Sequence, residues 1–141
     1  MSLPTEAIIA LLQAGARPDP LALVTRMPGY TLPVFPLHCA ARAFDIALMQ
    51  ALVDAGVDVN AVDDEGRTPL MQLADATHYL SKPVSMAVQA AQWLLERGAA
   101  VNAVSQHGDS ALAGGVHQAL RDLLMAHGGR VIWPHYALEY D

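Results

Sequence analysis

Six histidines, one cysteine and an acidic triplet are the residues of this chain whose types could carry chemistry. A metal centre built from His38, His78, His107, His117, His127 and His135 would need two or three of them to converge around an open coordination position. They are scattered, and only His107 and His117 suggest an approach, so bracing or surface histidines are the plainer reading. Cys39 follows His38, but neighbours on a helix face different directions, which is not the geometry of a nucleophile and its base. No G-x-S-x-G is present, and Gly114-Gly115 and Gly128-Gly129 are isolated pairs rather than a phosphate loop after a strand. Asp63-Asp64-Glu65 precedes Gly66. Calcium would need more oxygen ligands at alternating loop positions than these supply. The triplet therefore reads either as an acidic contact for a basic partner or as an ordinary solvated turn. No catalytic residue, metal or cofactor is expected, and the chain is not expected to be an enzyme.

The elements that would position such residues follow from bulk composition and repeats. The 141 residues suit one domain, and 53% hydrophobic against 16% charged residues excludes a disordered tail. Ala and Leu dominate and aromatics make up only 6%, which favours packed helices. The formal net charge is −6 and the eight Lys and Arg form no run, which disfavours a nucleic-acid partner. No apolar run approaches the roughly 20 residues that span a bilayer. A lone Cys and the lack of a signal-like N-terminus point to a reducing, cytoplasmic setting.

Three segments close alike: AIIALLQAGARPD from Ala7, ALMQALVDAGVDVN from Ala47 and QAAQWLLERGAAVN from Gln89. Each is an apolar helical pattern stopped by Gly15, Gly56 or Gly98, and ALRDLLMAHG ends similarly at Gly128. Asp19, Asn60 and Asn102 each follow four residues after their Gly, as suits a turn. A helix-opening signature interleaves with these. It reads FPLHCAA from Phe35, TPLMQLA from Thr68 and, degenerately, SALA from Ser110. Thr68 suits the N-cap and Pro36 and Pro69 the first helical position. Pro36 and Pro69 lie 33 residues apart (69 − 36), whereas Gly66 to Gly108 and Asn60 to Asn102 are each 42 (108 − 66; 102 − 60). One repeat therefore carries a nine-residue insertion (42 − 33), between Ala74 and Gly98. Within it Asp75 to Leu80 should form a longer inter-helix loop, with Ser81 or Lys82 near the cap and Pro83 in the first turn of a helix to about Arg97.

On these residues the chain resembles the ankyrin-repeat family, whose period is about 33 residues with a T-P-L-H-x-A helix opening. The resemblance is densest from Pro36 to Leu70 and weaker at both ends. It implies an all-α fold: an ankyrin-repeat solenoid of stacked helix pairs with projecting hairpin-like fingers, about four repeats with irregular ends. Residues 1–35 would be an N-terminal capping half repeat with an enlarged finger. Residues 36–62 would be a regular repeat, 63–104 the repeat with the insertion, and 105–141 a C-terminal capping repeat, all in one domain of 1–141. His38 would brace a neighbouring loop, while Met71 and Ala113 stand where the family has His. Gly114-Gly115 would replace a small Ala pair where helices pack closely. The segment 21–35, with Met27, Tyr30 and Phe35, either binds a partner or folds back over the half repeat, the latter being preferred. Val131 to Tyr136, with Trp133, would form an apolar lid on the open end.

The function implied is non-catalytic: a monomeric protein–protein interaction module, an adaptor or regulator that binds another protein, with no nucleic acid and no membrane. The alternative is an immunity-type or enzyme-inhibitor protein that occludes one tight partner. Family geometry puts the contact residues at Asp64, Glu65 and Arg67 in one finger and Gln106, His107 and Asp109 in the next. Arg42, Gln72 and Asp75 on the first helices would form the adjoining face. Trp93 and Leu94 are read as core.

Overall fold

A computed structural model describes residues 5–15, 35–77, 82–113 and 116–131. Among these residues there is no strand. The six helices are α1 (Thr5–Gln13), α2 (Pro36–Arg42), α3 (Ile46–Asp54), α4 (Pro69–Ala76), α5 (Val84–Glu96) and α6 (Gln118–Ala126), with a 3-10 turn at Ala111–Ala113.

Four of the starts have a local cause. Pro36 and Pro69 occupy the first turns of α2 and α4, where a missing N–H costs nothing. Thr68 Oγ1 accepts from Met71 N at 3.3 Å, and Asp45 Oδ1 accepts from Leu48 N at 3.1 Å, so both side chains satisfy orphan donors. His117 Nδ1 caps α6 by accepting from Ala119 N at 3.1 Å. The helices that end at Gly15, Gly56, Gly98 and Gly128 do so with φ of +96°, +109°, +91° and +85°, the left-handed stop that side chains resist.

α2, α4 and the 3-10 turn form an inner row, and α1, α3, α5 and α6 an outer row. α2 packs on α4 and α3, α1 on α3, α4 on α5 and the 3-10 turn, and α5 on α6. The first repeat is represented among the described residues by its outer helix α1 alone. Leu37, Leu48, Met49, Leu52, Leu70, Met71, Leu73, Leu94, Leu112, Leu120 and Leu124 lie wholly inside. Fully buried alanines, among them Ala41, Ala74, Ala87, Ala90 and Ala91, let the backbones approach. Burying one such leucine contributes about 1.5–3 kcal/mol, so the stack is held mainly by this shared core.

Four local readings change. α4 runs to Ala76, so Asp75 belongs to its last turn and not to a loop. Pro83 is the N-cap of α5 rather than part of its first turn. Within SALA at 110–113, Ala111–Ala113 form a 3-10 turn, and no proline stands there as in the other inner helices. Finally, α2 ends at Phe44 with φ +56°, a conformation that favours glycine. Asp45 N donates to Ala40 O and Phe44 N to Ala41 O, a Schellman closure with an aromatic residue in the glycine place. Phe44 is held there by being buried. Its side chain lines a cavity of about 420 Å³ with Ile46, Lys82 and Met86, and Lys82 Nζ donates to Ala43 O at 2.9 Å.

His78, Ser81, Gly114-Gly115, His135, the segment 21–34 and the Trp133 lid lie outside the described residues. Phe35, at the N-cap of α2, stacks edge-on against His38 at 5.4 Å.

Candidate protein-binding surface

Two finger turns connect the outer helices to the next inner element. In the first, Asp63 N donates to Arg67 O and Gly66 N to Asp63 O, both at 3.0 Å. Asp63 Oδ1 accepts from Glu65 N at 2.9 Å and Arg67 N at 3.0 Å. Its Oδ2 accepts from Gln72 Nε2 at 2.9 Å. Burial pushes the Asp63 carboxyl up, but the Arg67 and Glu65 amides, the Gln72 amide and nearby His38 together hold it below its ordinary value. Asp63 is thus the pin of the finger, and the acidic triplet divides: Asp63 points inward while Asp64 and Glu65 are exposed.

The second finger repeats the turn with a hydroxyl in place of the carboxylate. Ser105 N donates to Asp109 O and Gly108 N to Ser105 O, both at 2.9 Å. Ser105 Oγ accepts from His107 N at 3.1 Å and donates to Asp109 Oδ1. The fingers are tied directly, because Gln106 N donates to Glu65 O at 2.9 Å. A Cβ on Gly66 would lie 2.9 Å from that same Gln106 nitrogen, so the close approach requires glycine there.

Three further contacts lock the fingers to the inner row. His38 Nε2 donates to Arg67 O at 2.8 Å, the brace expected of it. Arg42 Nη1 donates to Gln72 Oε1 at 2.8 Å, so Gln72 joins α2, α4 and the first finger. Arg67 pairs with Asp75, reaches Asp109 Oδ2 at 3.5 Å and donates to Met71 O at 3.4 Å. At Met71, where no histidine stands, the Arg67–Asp109 pair and the Glu65–Gln106 bond join this repeat to the next.

The nine residues expected at the contact surface therefore fall together on the fingers and the adjoining inner face, but they do different things. Asp64, Glu65, Gln106 and His107 are exposed tips. His107 Nε2 stands 3.9 Å from Glu65 Oε2 in an open setting. Arg42, Gln72, Asp75 and Asp109 form the floor. Arg67 is different: its side chain is only 13% exposed and its guanidinium is occupied by Asp75, Asp109 and a carbonyl. Burial is the largest influence on Asp75 and pushes its carboxyl up. Arg67 and Arg42 pull it down and Asp109 pushes it up again, so that despite its ion pair it stays above its ordinary value.

Two surface residues escaped sequence reasoning. Val62 and Val104 stand immediately before the two turns and are 56% and 47% exposed. Val57, Val59 and Val101 pack against the core instead. The signal was available, since Val62 and Val104 share the 42-residue offset of the repeats (104 − 62). On the outer side Asn60 clamps the next loop, donating to Gly98 O at 3.0 Å and accepting from Ala100 N at 2.8 Å. Asn102 does the same with Gly128 O at 2.9 Å and Arg130 N at 2.7 Å. Trp93 is buried. It donates to Gln50 Oε1 at 3.2 Å, under the Arg97 guanidinium at 3.9 Å.

Cys39 is half-buried, and burial raises its thiol despite the opposing charge of Arg42. Among the described residues no three His, Cys, Asp or Glu side chains converge where a metal could sit. Among them, too, no helix is long and apolar enough to cross a membrane.

Residues 37–78 match the family model for ankyrin repeats (many copies). The crystal structure of the human ASB11 ankyrin repeat domain is similar, at a TM-score of 0.56 and 30% sequence identity over 68% of this chain. This is an ankyrin-repeat protein. The chain spans 41% of the length of that solved domain, and 308 solved chains match, so the likeness identifies a scaffold and not a partner. Ankyrin repeats are in general protein–protein interaction modules, and their fold is typically a non-enzymatic binding scaffold.

Proposed function

We propose that this ankyrin-repeat chain binds another protein through its two fingers and the adjoining inner-helix face, as an adaptor or regulator without catalysis of its own. The observation that carries this reading is the locking of the fingers. The Glu65–Gln106 backbone bond, the His38 brace and the Arg67 strap hold the backbones that carry Asp64, Glu65, Gln106 and His107 in one array. A surface ordered before binding loses little entropy on binding, which favours recognition. In this reading Arg67 positions the contact surface from beneath rather than reaching the partner itself.

The test is affinity capture from a lysate of the source cell. Wild type is compared with Asp64→Lys/Glu65→Lys, and with Gln50→Ala on the outer side as control, after each is shown to fold. A protein held by wild type and by Gln50→Ala but lost from the finger variant supports the assignment. Equal capture by all three removes it.

A further inference from the structure

We propose that the partner segment seated on the fingers is basic and amphipathic, an apolar stripe edged by Lys or Arg; this rests on the finger face being the binding surface. Val62 and Val104 carry the inference. They hold the same place in successive fingers, they are the most exposed valines of the described structure, and the fingers bearing them are joined by the Glu65–Gln106 bond. They therefore lie on one continuous surface as a pair of apolar contacts in register with the repeat. Nothing in the fold needs a valine there, because neither packs against the core. Two apolar side chains held in register on a fixed surface are suited to covering by a matching apolar stripe.

Charge then chooses among apolar segments. Beyond each valine the chain presents Asp64 and Glu65 in one finger and Gln106 and His107 in the other, over a floor containing Asp75 and Asp109, with Asp63 pinning the first turn. Against the five carboxylates of Asp63, Asp64, Glu65, Asp75 and Asp109 stand, among the described residues, only two guanidiniums, Arg67, paired with Asp75 and Asp109, and Arg42, which is hydrogen-bonded to the neutral Gln72 amide and keeps its charge, so the face is acidic on balance. An acidic segment would meet like charge. A neutral apolar one would leave the carboxylates at its edge without partners. A basic one answers both, and a polyanion such as nucleic acid is repelled.

Four labelled peptides of equal length serve as probes, read by fluorescence anisotropy against the folded chain: amphipathic Lys/Leu, Lys/Ser of the same charge, amphipathic Glu/Leu, and uncharged Gln/Leu. The Lys/Leu peptide is expected to bind about tenfold tighter than each of the others. Its affinity should fall in Val62→Ser/Val104→Ser and, separately, in Asp64→Lys/Glu65→Lys, and in raised salt. Equal binding of Lys/Ser would show diffuse charge attraction only and overturn the inference. Tighter binding of Glu/Leu or Gln/Leu, lost in the finger variants, would overturn the chemistry and leave the finger face standing. Lys/Leu binding indifferent to both variants would put the basic amphipathic site elsewhere and overturn the inference, the finger face again being judged by lysate capture. Absence of binding by all four overturns the inference, while lysate capture judges the finger face separately.

Discussion

Replacing Gly66 by Ala should cost more than replacing Gly128 by Ala, and the difference isolates one contact between fingers. Both glycines have similar positive φ, +74° at Gly66 and +85° at Gly128. A Cβ in such a conformation costs about 1–2 kcal/mol at either site. Around Gly128 there is nothing within 4 Å, so its loss stops there. At Gly66 the new Cβ would stand 2.9 Å from Gln106 N, a backbone atom that no rotamer change can move. The second finger must shift and loosen the Gln106 N–Glu65 O bond, a further cost of about 1 kcal/mol. The totals are then roughly 2–3 kcal/mol for Gly66→Ala and 1–2 for Gly128→Ala. Denaturant unfolding followed by circular dichroism gives the two losses, and hydrogen exchange at the Gln106 amide gives the cause. That amide should lose protection in Gly66→Ala and keep it in Gly128→Ala. Equal losses, or a Gln106 amide equally protected in both, would refute the claim that the fingers are locked by close approach at Gly66.

Phe44→Gly sets two effects against each other. It relieves a strain of about 1–2 kcal/mol but removes an aromatic ring whose burial is worth roughly 3–5 kcal/mol. The melting temperature should therefore fall, and a rise would mean that the ring packs poorly. Asp63 and Asp75 should act oppositely across the acid range. Asp63 is held below its ordinary value. It adds stability at pH above the unfolded carboxylate value that is lost as pH falls through its folded one. Asp75 is raised, so stability falls as pH climbs from the unfolded value through the folded one. Asp63→Asn should then lose less stability than wild type on acidification. Asp75→Asn, whatever its constant offset, should gain on wild type as pH rises through that window. Parallel curves in denaturant titrations over the acid range would remove both assignments.

What the sequence revealed was what a single residue type enforces. Gly15, Gly56, Gly98 and Gly128 were legible as helix stops because few other residues hold a positive φ. Thr68, Pro36 and Pro69 marked starts through their own caps and missing N–H, and His38 was legible as a brace through its family position. Phe44 was hidden for the converse reason: an aromatic residue carries no mark of φ +56° until the burial that holds it is seen. Arg67 was legible as a finger residue but not as a largely buried strap, since Asp109, which helps to occupy it, arrives from 42 residues away (109 − 67). The split within Asp63-Asp64-Glu65 is set by the turn, which takes the Asp63 carboxylate as acceptor for the Glu65 and Arg67 amides. Val62 and Val104 were overlooked because an isolated valine beside a turn looks like a core residue, and only the register between repeats separates them from Val57, Val59 and Val101.

The central claim is that the locked fingers are the surface a partner covers. Hydrogen exchange on the wild-type chain, alone and with its captured partner, tests this most directly. Added protection is predicted at 62–67 and 104–109 and along the inner face at Arg42, Gln72 and Asp75, with the outer side around Gln50, Trp93 and Arg97 unchanged. Protection centred on that outer side, with the fingers exchanging as before, would contradict the account.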